Sequence, residues 1–505
     1  MECKKIFRAV DMKILDDYTV RREPVEPIDL MERAARAFVD RLLELYPRET
    51  LFQIAAGAGN NGGDGYAAGR LLLERGREAR VHAVHVSERL SPCCAANRER
   101  FLAAGGSVTE VRRAEDLVVG GGTWIDALFG VGLDRPLRGW VAEVVRRVNE
   151  SGRPVVAVDI PSGLMGEDNR ENDGAIVRAA RTLTFHGPKL AFMLEENYPH
   201  AGEFETLDIG LHPEICRSHP SSFFYLTREA VASALPGRDK FARKGTRGRA
   251  LLVAGSSRMM GAALLAARGA LRSGVGLLTL HVPRSFEQVV HAAAPEALVD
   301  ADADDCCFTG ARVSAAYDAV GIGPGLGMSP ESAGGLWRLL EEWSGRLVLD
   351  ADALNLVAAE PGGADRLPAG CVLTPHAGEF ERLAGRSSND FDRLNKLINF
   401  ATRHRLYVAL KGAHTAVATP SGRCYFNTSG NPGMAKGGAG DVLTGVIAAL
   451  LAGGMAVEDA VLAGVYAHGV AGDLAAREHG ERGMTSGDVA AMMGKAWQWC
   501  ERQDV

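Results

Sequence analysis

The sequence predicts two different α/β domains, each a doubly wound parallel sheet with helices on both faces. Three observations carry this. Short apolar runs ending in glycine-marked loops alternate with helical stretches in both halves of the chain, the pattern of repeated strand–turn–helix units. The alternation breaks around residues 208–250, first at a polar stretch and then at a strongly basic one. No internal repeat relates the two halves, so they are not copies of one domain.

Taken in order, Leu30, Met31, Ala34, Ala35, Phe38 and Leu42 fall on one helical face. LFQIAAG (51–57) is a strand running into a glycine turn, and NGGDGYAAGRLLLERG (61–76) begins the next helix. VHAVHV (81–86), TWIDALFG (123–130), VVAVDIPSG (155–163) and ARTLTFHG (180–187) are further strands ending in loops. The polar run from Cys216 to Ser222 places a linker at 213–222, between a first domain over 1–212 and a second over 223–505. RDKFARKGTRGR (238–249) leads into the second domain. There RALLVAGSS (249–257), an Ala-rich helix through 273, VGLLTLHV (275–282), AVGIGPG (319–325), RLVLDAD (346–352), CVLTP (371–375) and LYVALKG (406–412) resume the alternation. From Gly433 onward the chain reads as a glycine loop followed by helices. Its most apolar part, Val442 to Val470, is interrupted by Glu458, Asp459 and several glycines, which predicts buried helices and no membrane span.

Composition narrows the class. Lys+Arg 57 against Asp+Glu 63 gives a net charge of −6, so no global basic field exists to recruit nucleic acid. Nine cysteines without a CxxC pair are expected as reduced thiols, and MECKKIFRAVDMKILDD (1–17) lacks the apolar stretch of a signal peptide. A soluble, cytoplasmic protein is the expectation. Glycine, 60 of 505 residues, exceeds its usual share of about 7% without any period. Many tight turns and close backbone approaches follow, as at nucleotide sites.

Chemistry concentrates in loops at predicted strand ends. AGAGNNGGDGYAAGR (56–70) places Gly57, Gly59 and Gly62 at the spacing of a dinucleotide loop, whose glycines permit positive φ and bring backbone N–H groups to a phosphate. A plain dinucleotide loop has no need of Asn60, Asn61 and Asp64, whose oxygens suit a hard cation or a sugar. Asp126 to Pro136 and Val158 to Gly163 form two more loops, each with an Asp after an apolar strand. One such Asp alone is more often a helix cap or turn carboxylate. Three glycine-marked, acid-bearing loops on one sheet edge are not explained that way.

GNNGGDG (59–65) and VDIPSG (158–163), with the loop from Asp126, resemble the NAD(P)H-hydrate epimerase family over roughly residues 5–212. The resemblance implies a Rossmann-like fold and a potassium ion beside the substrate. By position, Asn61, Asp126 and Ser162 resemble the potassium ligands. Asn60, Asn61, Gly62, Gly63 and Asp64, then Gly130, Val131, Gly132, Leu133, Asp134, Arg135 and Pro136, and Asp159 resemble the hydrate-binding positions. Asp159 is the candidate to take and return a proton, or to assist loss of the hydroxyl, during epimerisation at C6 of the hydrated nicotinamide. Lys189 matches a family lysine and otherwise reads as a solvated surface charge. Val131 stands where Thr is usual, and Ala35 where the family tends to carry Gly.

In the second domain, NPGMAKGGAGDVLTG (431–445) runs a glycine turn into Asp441 and an apolar helix. Such a turn offers backbone N–H groups to an anion, and the carboxylate can deprotonate a hydroxyl. LDADALN (349–355), TPHAGEF (374–380), KGAHT (411–415) and GPGLG (323–327) stand at other strand ends, and together they point to a magnesium–nucleotide site. His414 alone reads as a satisfied polar residue. GAALLAARGALRSGVGLLTL (261–280), TPHAGE and GGAGDVLTG resemble the ADP/ATP-dependent NAD(P)H-hydrate dehydratase family, of ribokinase-like fold, over about 223–505. By position, Ala262, Gly325, His376 and Asp441 resemble its hydrate-binding residues. Lys411, Gly412, Ala413, His414, Thr415 and Gly440 resemble its adenine-nucleotide positions. Ala254-Gly255-Ser256 departs from the commoner Gly-Gly-Ser.

The resemblances imply a bifunctional repair enzyme. It would interconvert the R and S hydrates of NADH and NADPH and dehydrate the S form with ADP or ATP, using K⁺ and Mg²⁺; a homo-oligomer is expected because fused metabolic α/β domains commonly form symmetric assemblies. Two alternatives stand beside it. One is a ribokinase-like kinase of a vitamin precursor carrying an N-terminal ligand-binding domain. The other keeps the first domain as a non-catalytic nucleotide sensor.

Overall fold

A computed structural model describes residues 1, 3–237, 239–313 and 316–501. The chain divides into two compact units, Lys5–Ser221 with Asn389–Phe391, and Met1–Lys4 with Ser222–Ser388 and the chain from Asp392 onward. After a short strand β1 (Lys4–Ile6), the first unit contains β2 (Leu51–Ala56), β3 (Glu78–Val84), β4 (Ser107–Val111), β5 (Thr123–Ala127), β6 (Val155–Val158), β7 (Arg181–Phe185) and β8 (Glu203–Leu207). These seven form one sheet in the order β4-β3-β2-β5-β6-β7-β8, parallel throughout.

Both faces of this sheet are covered. Phe52, Ile54 and Ala56 of β2 enter one core with Phe38 and Phe101, while Ala55 enters the other with Trp124 and Val144. Burial on both sides is why these strands read as continuous apolar runs. The strand order reverses between β2 and β5, and at such a switch point a doubly wound sheet opens its ligand crevice. The loops after β2 and β5 carry the glycine motif and Asp126.

The segment expected as a linker, 213–222, contains a helix, Pro213–Ser218. His212 Nδ1 accepts the Glu214 N–H at its start, and Ile215 is buried in the first unit's core. The change of unit therefore falls between Ser221 and Ser222. The polar side chains that suggested a linker cover a half-buried turn of helix.

The second unit contains β9 (Phe223–Tyr225), β10 (Arg249–Val253), β11 (Leu277–Val282), β12 (Leu298–Ala301), β13 (Ala319–Ile322), β14 (Arg346–Leu349), β15 (Val372–Leu373), β16 (Tyr407–Leu410), β17 (Ala416–Ala418) and β18 (Cys424–Phe426). From β9 its sheet runs β9-β18-β17-β16-β15-β14-β13-β10-β11-β12. Pairing is parallel from β16 to β12, and antiparallel where β17 joins β16 and β18. The switch point lies between β10 and β13. The helix Ala439–Ala452 and the helix Val457–Gly483 as far as Ala475 are largely buried, as the apolar tail predicts. Two glycines let Met260–Arg272 pack closely on Ala439–Ala452. A Cβ at Gly269 would sit 2.3 Å from the Val442 carbonyl oxygen, and one at Gly445 1.9 Å from that of Ala266. The expected pair of different doubly wound α/β units is what the chain forms. Among the described residues no helix is long and apolar enough to cross a membrane, and the nine cysteines are free thiols.

Candidate active sites

In the first unit, β2 ends at Ala56 and the helix Asn60–Glu74 begins after an N-cap, Gly59, that no side chain caps. Its first-turn N–H groups are left for a ligand or water. The glycines act here through close contact. The expected left-handed backbone is absent, since Gly57, Gly59, Gly62, Gly63 and Gly65 all have ordinary φ. A Cβ at Gly57 would lie 2.0 Å from the Leu128 carbonyl oxygen, and one at Gly62 1.9 Å from that of Gly57. The motif draws the helix onto the sheet, so that Asn61 reaches the loop after β5.

There Asn61 Nδ2 donates to the Phe129 carbonyl at 2.8 Å. Ser162 Oγ and N donate to the two oxygens of Asp126 at 2.6 and 2.7 Å, and the Phe129 N–H donates to Ser162 Oγ at 2.8 Å. Asp126 is 1% exposed. Burial pushes its carboxyl up to about 6 against the hydrogen bonds from Ser162 and Leu128. It forms no ion pair with a basic side chain among the described residues. Asn61, Asp126 and Ser162, with the Phe129 carbonyl, thus bring amide, carboxylate, hydroxyl and carbonyl oxygens around one uncompensated buried charge. That donor set fits a hard monovalent cation.

Asp159 follows β6 with φ at +64°, a strained conformation for a non-glycine residue. Its Oδ1 accepts from Lys189 Nζ at 2.7 Å, Phe185 N–H at 2.9 Å and Thr184 Oγ1 at 3.1 Å. Its Oδ2 accepts no hydrogen bond among the described residues. Lys189 is 2% exposed and also donates to Thr184 Oγ1 and the carbonyls of Phe185 and Gly187, so it is no surface charge. Burial, with Asp159 and Asp16 adding repulsion, holds the Asp64 carboxyl well above the usual range. Asp16, on the helix Ala9–Arg22, is pushed up to about 6 by burial and Asp159, with Lys189 opposing. Nothing in the sequence around Asp16 singles it out. Gly130 lies beside Asn61, where a Cβ would be 3.4 Å from the Asn61 Cβ. Val131, Gly132, Leu133, Asp134, Arg135 and Pro136 continue as a half-buried to exposed loop. Asn60 is exposed at the mouth of the helix.

In the second unit, Gly325 follows β13 with φ at +63°, and a Cβ there would lie 3.1 Å from the Ala262 Cβ. The structure therefore brings these two positions together at the switch point. Gly327 N–H donates to Asp352 at 2.8 Å. His376 caps the helix Ala377–Ala384, its Nδ1 accepting from the N–H groups of Gly378 and Glu379. Glu379 in return accepts the His376 N–H at 2.8 Å. Lys411 follows β16, paired with Asp350 at 2.7 Å and 3.9 Å from Glu379. Gly412 to Thr415 form a tight turn in which the Thr415 hydroxyl donates to the Gly412 carbonyl, while His414 is half-buried against the Asn427 backbone.

The glycine turn ends at Gly438, whose φ of +96° sets the start of Ala439–Ala452. No side chain caps this helix, so its first N–H groups stay open to an anion. Asp441 lies in its first turn. Burial, joined by repulsion from Asp350, Asp352 and Glu379 and opposed by Lys411, pushes its carboxyl up to about 6. Thr444, one turn further on, donates to Asp350 at 2.6 Å. Thr444 lies within the motif NPGMAKGGAGDVLTG (431–445), where the sequence reading gave it no role.

Family models match both units. Residues 27–191 match the YjeF-related protein N-terminus, and residues 250–494 match the NAD(P)H-hydrate dehydratase family. The chain is 37% identical to the bifunctional NAD(P)H-hydrate repair enzyme Nnr of Thermofilum pendens, over 97% of this chain and 96% of that one. It is 35% identical to the Moorella thermoacetica enzyme of the same name, over 96% and 95%. A solved structure of the ADP/ATP-dependent NAD(P)H-hydrate dehydratase from Bacillus subtilis, co-crystallised with ATP/Mg²⁺, is 34% identical with a TM-score of 0.49. It covers 55% of this chain and 98% of that one.

Proposed function

The chain belongs to the bifunctional NAD(P)H-hydrate repair enzymes, and from that premise we propose how its two units divide the work. The first, built on residues 5–221, epimerises the R and S hydrates of NADH and NADPH. The second, ribokinase-like and over 223–505, dehydrates the S form with ADP or ATP. One observation supports both assignments. Each switch point sets a carboxyl raised above its ordinary range beside a lysine-paired carboxylate: Asp64 beside Asp159–Lys189, and Asp441 beside Asp350–Lys411. In each pair the raised carboxyl is placed to exchange a proton with the substrate.

In the epimerase unit, Asp64, held well above the usual carboxylate range, carries the proton, and Asp159 stands opposite it, paired with Lys189 at 2.7 Å. Protonation of the C6 hydroxyl by Asp64 lets the ring nitrogen expel water. Asp159, on its open oxygen, then takes a proton from the water that adds to the opposite face. Asn61, Asp126 and Ser162 hold K⁺, which supplies charge compensation for Asp126. Asn60, Asp64 and the loop from Gly130 to Pro136 enclose the hydrate.

In the dehydratase unit, Ala262, Gly325 and His376 bind the hydrate, and Lys411 to Thr415 with Gly440 bind the nucleotide. Asp441 takes the proton of the C6 hydroxyl, whose oxygen attacks the terminal phosphorus as its bond to the bridging oxygen breaks. The open N–H groups after Gly438, with Lys411, stabilise the transferring charge. A Mg²⁺ ion bound with the nucleotide would supply further charge neutralisation there. The ring nitrogen then expels phosphate, and loss of the C5 proton gives NADH or NADPH. Water leaves in effect as phosphate, and ADP becomes AMP, or ATP becomes ADP.

The chain acts in the cytoplasm as a homo-oligomer in this reading, which cell fractionation and sedimentation check. Two variants test the division of roles on purified R and S hydrates. Asp441→Asn should still interconvert them while producing no reduced nucleotide. Asp159→Asn should convert S hydrate at the normal rate and leave the R form to its spontaneous epimerisation. Either variant behaving as wild type would overturn the role given to that residue.

A further inference from the structure

Asp350 stands at the end of β14, and its carboxylate joins three segments far apart in the chain. Oδ1 accepts from Lys411 Nζ at 2.7 Å, just beyond β16. Oδ2 accepts from Thr444 Oγ1 at 2.6 Å, on the helix that carries Asp441. The same hydroxyl lies 3.2 Å from the Gly440 carbonyl. Gly440 packs directly against the pair, since a Cβ there would come 3.0 Å from Lys411 Nζ and 3.6 Å from Asp350 Oδ2. The backbone fixes Asp350 in turn. Ala351 is held at φ +49°, and a Cβ at Gly323 would fall 1.8 Å from the Asp350 carbonyl oxygen. Asp350 itself is 1% exposed, so it acts on substrate only through its partners.

We propose that Asp350 is a positioning residue of the dehydratase site, holding Lys411 against the glycine turn and, through Thr444, fixing the Asp441 helix relative to it. The proposal rests on the dehydratase reading above. Without this carboxylate, the cation and the base would have no common anchor. Loss of a single such constraint costs up to about 100-fold in rate when it displaces reacting groups by an ångström.

Asp350 also sets the charge around Asp441. The groups facing Asp441 are Asp350 after β14, Lys411 after β16, Asp352 on the helix Asp352–Ala359 and Glu379 on the helix Ala377–Ala384. The carboxylates favour its protonated form and Lys411 disfavours it. Neutralising Asp350 removes one carboxylate and leaves Lys411 less compensated. Both changes lower the pH at which Asp441 loses its proton.

The test is Asp350→Asn in the full chain, assayed with S hydrate, Mg²⁺ and ADP or ATP over pH 5 to 8. The expected result is a dehydratase kcat reduced by about 100-fold, with measurable nucleotide binding and an acid limb moved to lower pH. Epimerisation in the same chain is unchanged. A structural role alone would lower the amount of active enzyme without moving the limb. Thr444→Val, a near-isosteric change, keeps the Asp350–Lys411 pair and should lower kcat while the limb stays in place. Wild-type kcat and limb in Asp350→Asn, or wild-type kcat in Thr444→Val, would overturn the proposal. Absence of dehydration by the wild-type chain would instead overturn the functional reading on which it rests.

Discussion

Replacing Lys189 by Met probes the first unit most directly. The ammonium is 2% exposed, its partner Asp159 is 13% exposed, and the contact is 2.7 Å. Besides Asp159, the ammonium donates to Thr184 Oγ1 and to the Phe185 and Gly187 carbonyls. Met keeps the volume of the stem but leaves Asp159 as a buried charge without its counter-ion. Breaking a buried pair from one side costs about 3–5 kcal/mol, against about 0–1 kcal/mol for an exposed pair. For a unit of some two hundred residues, 1 kcal/mol moves the unfolding temperature by about 2–4 °C. The first unit should therefore unfold roughly 6–20 °C lower in Lys189→Met, as read by scanning calorimetry of the full chain. Adding Asp159→Asn removes the orphaned charge, so the double variant should regain much of that loss. Epimerisation fails in both, while dehydration of S hydrate continues at temperatures where the first unit is folded. A loss below about 1 kcal/mol, or strict additivity in the double variant, would refute the buried-pair argument.

Two further predictions concern the same unit. The folded Asp126 carboxyl, at about 6, lies above its ordinary value, so the fold binds this proton more tightly than the unfolded chain. Ionising it removes stability progressively as pH rises from about 4 through 6. A cation held there offsets that loss only above the upper limit. KCl, compared with tetramethylammonium chloride, should raise the first unit's unfolding temperature at pH 7.5 and lose this effect at pH 5. Equal effects at both would contradict the site. Gly62→Ala places a Cβ 1.9 Å from the Gly57 carbonyl oxygen, which only backbone movement relieves. A loss of about 1–3 kcal/mol and of epimerisation should follow, and a fully active, equally stable variant would show that the contact does not hold the loop.

Long apolar strands at the sheet centres were legible because burial on both faces leaves a continuous run, as in LFQIAA and TWIDA. The strands that sequence reading missed lie mainly at edges or are very short. SVTEV of β4 is mostly exposed, and β9, β17 and β18 span three residues each, too few to show a period. Hence the antiparallel pairing of β16 to β18 had no signal. The glycines of GNNGGDG were visible as a site but suggested the wrong physics. Gly62 is needed for its approach to the Gly57 carbonyl, and Gly63 and Gly65 for theirs to the side chains of Met31 and Ala127, contacts that only the fold reveals. Asp126 and Ser162 were paired only through resemblance, and the structure places them 2.6 Å apart. Asp16 and Thr444 enter their sites from a helix face and a buried turn, where one polar residue looks like any other. Lys189 read equally as a surface charge, because burial of a lysine depends on a partner 30 residues away.

The most direct test of the central claim mixes the purified chain with racemic NADH hydrate, KCl, Mg²⁺ and ADP or ATP, and follows NADH absorbance against a control without enzyme. Two activities in one chain predict recovery of the whole racemate faster than spontaneous epimerisation allows. A fast phase stopping near half would contradict the epimerase assignment, and no NADH at all would contradict the repair function.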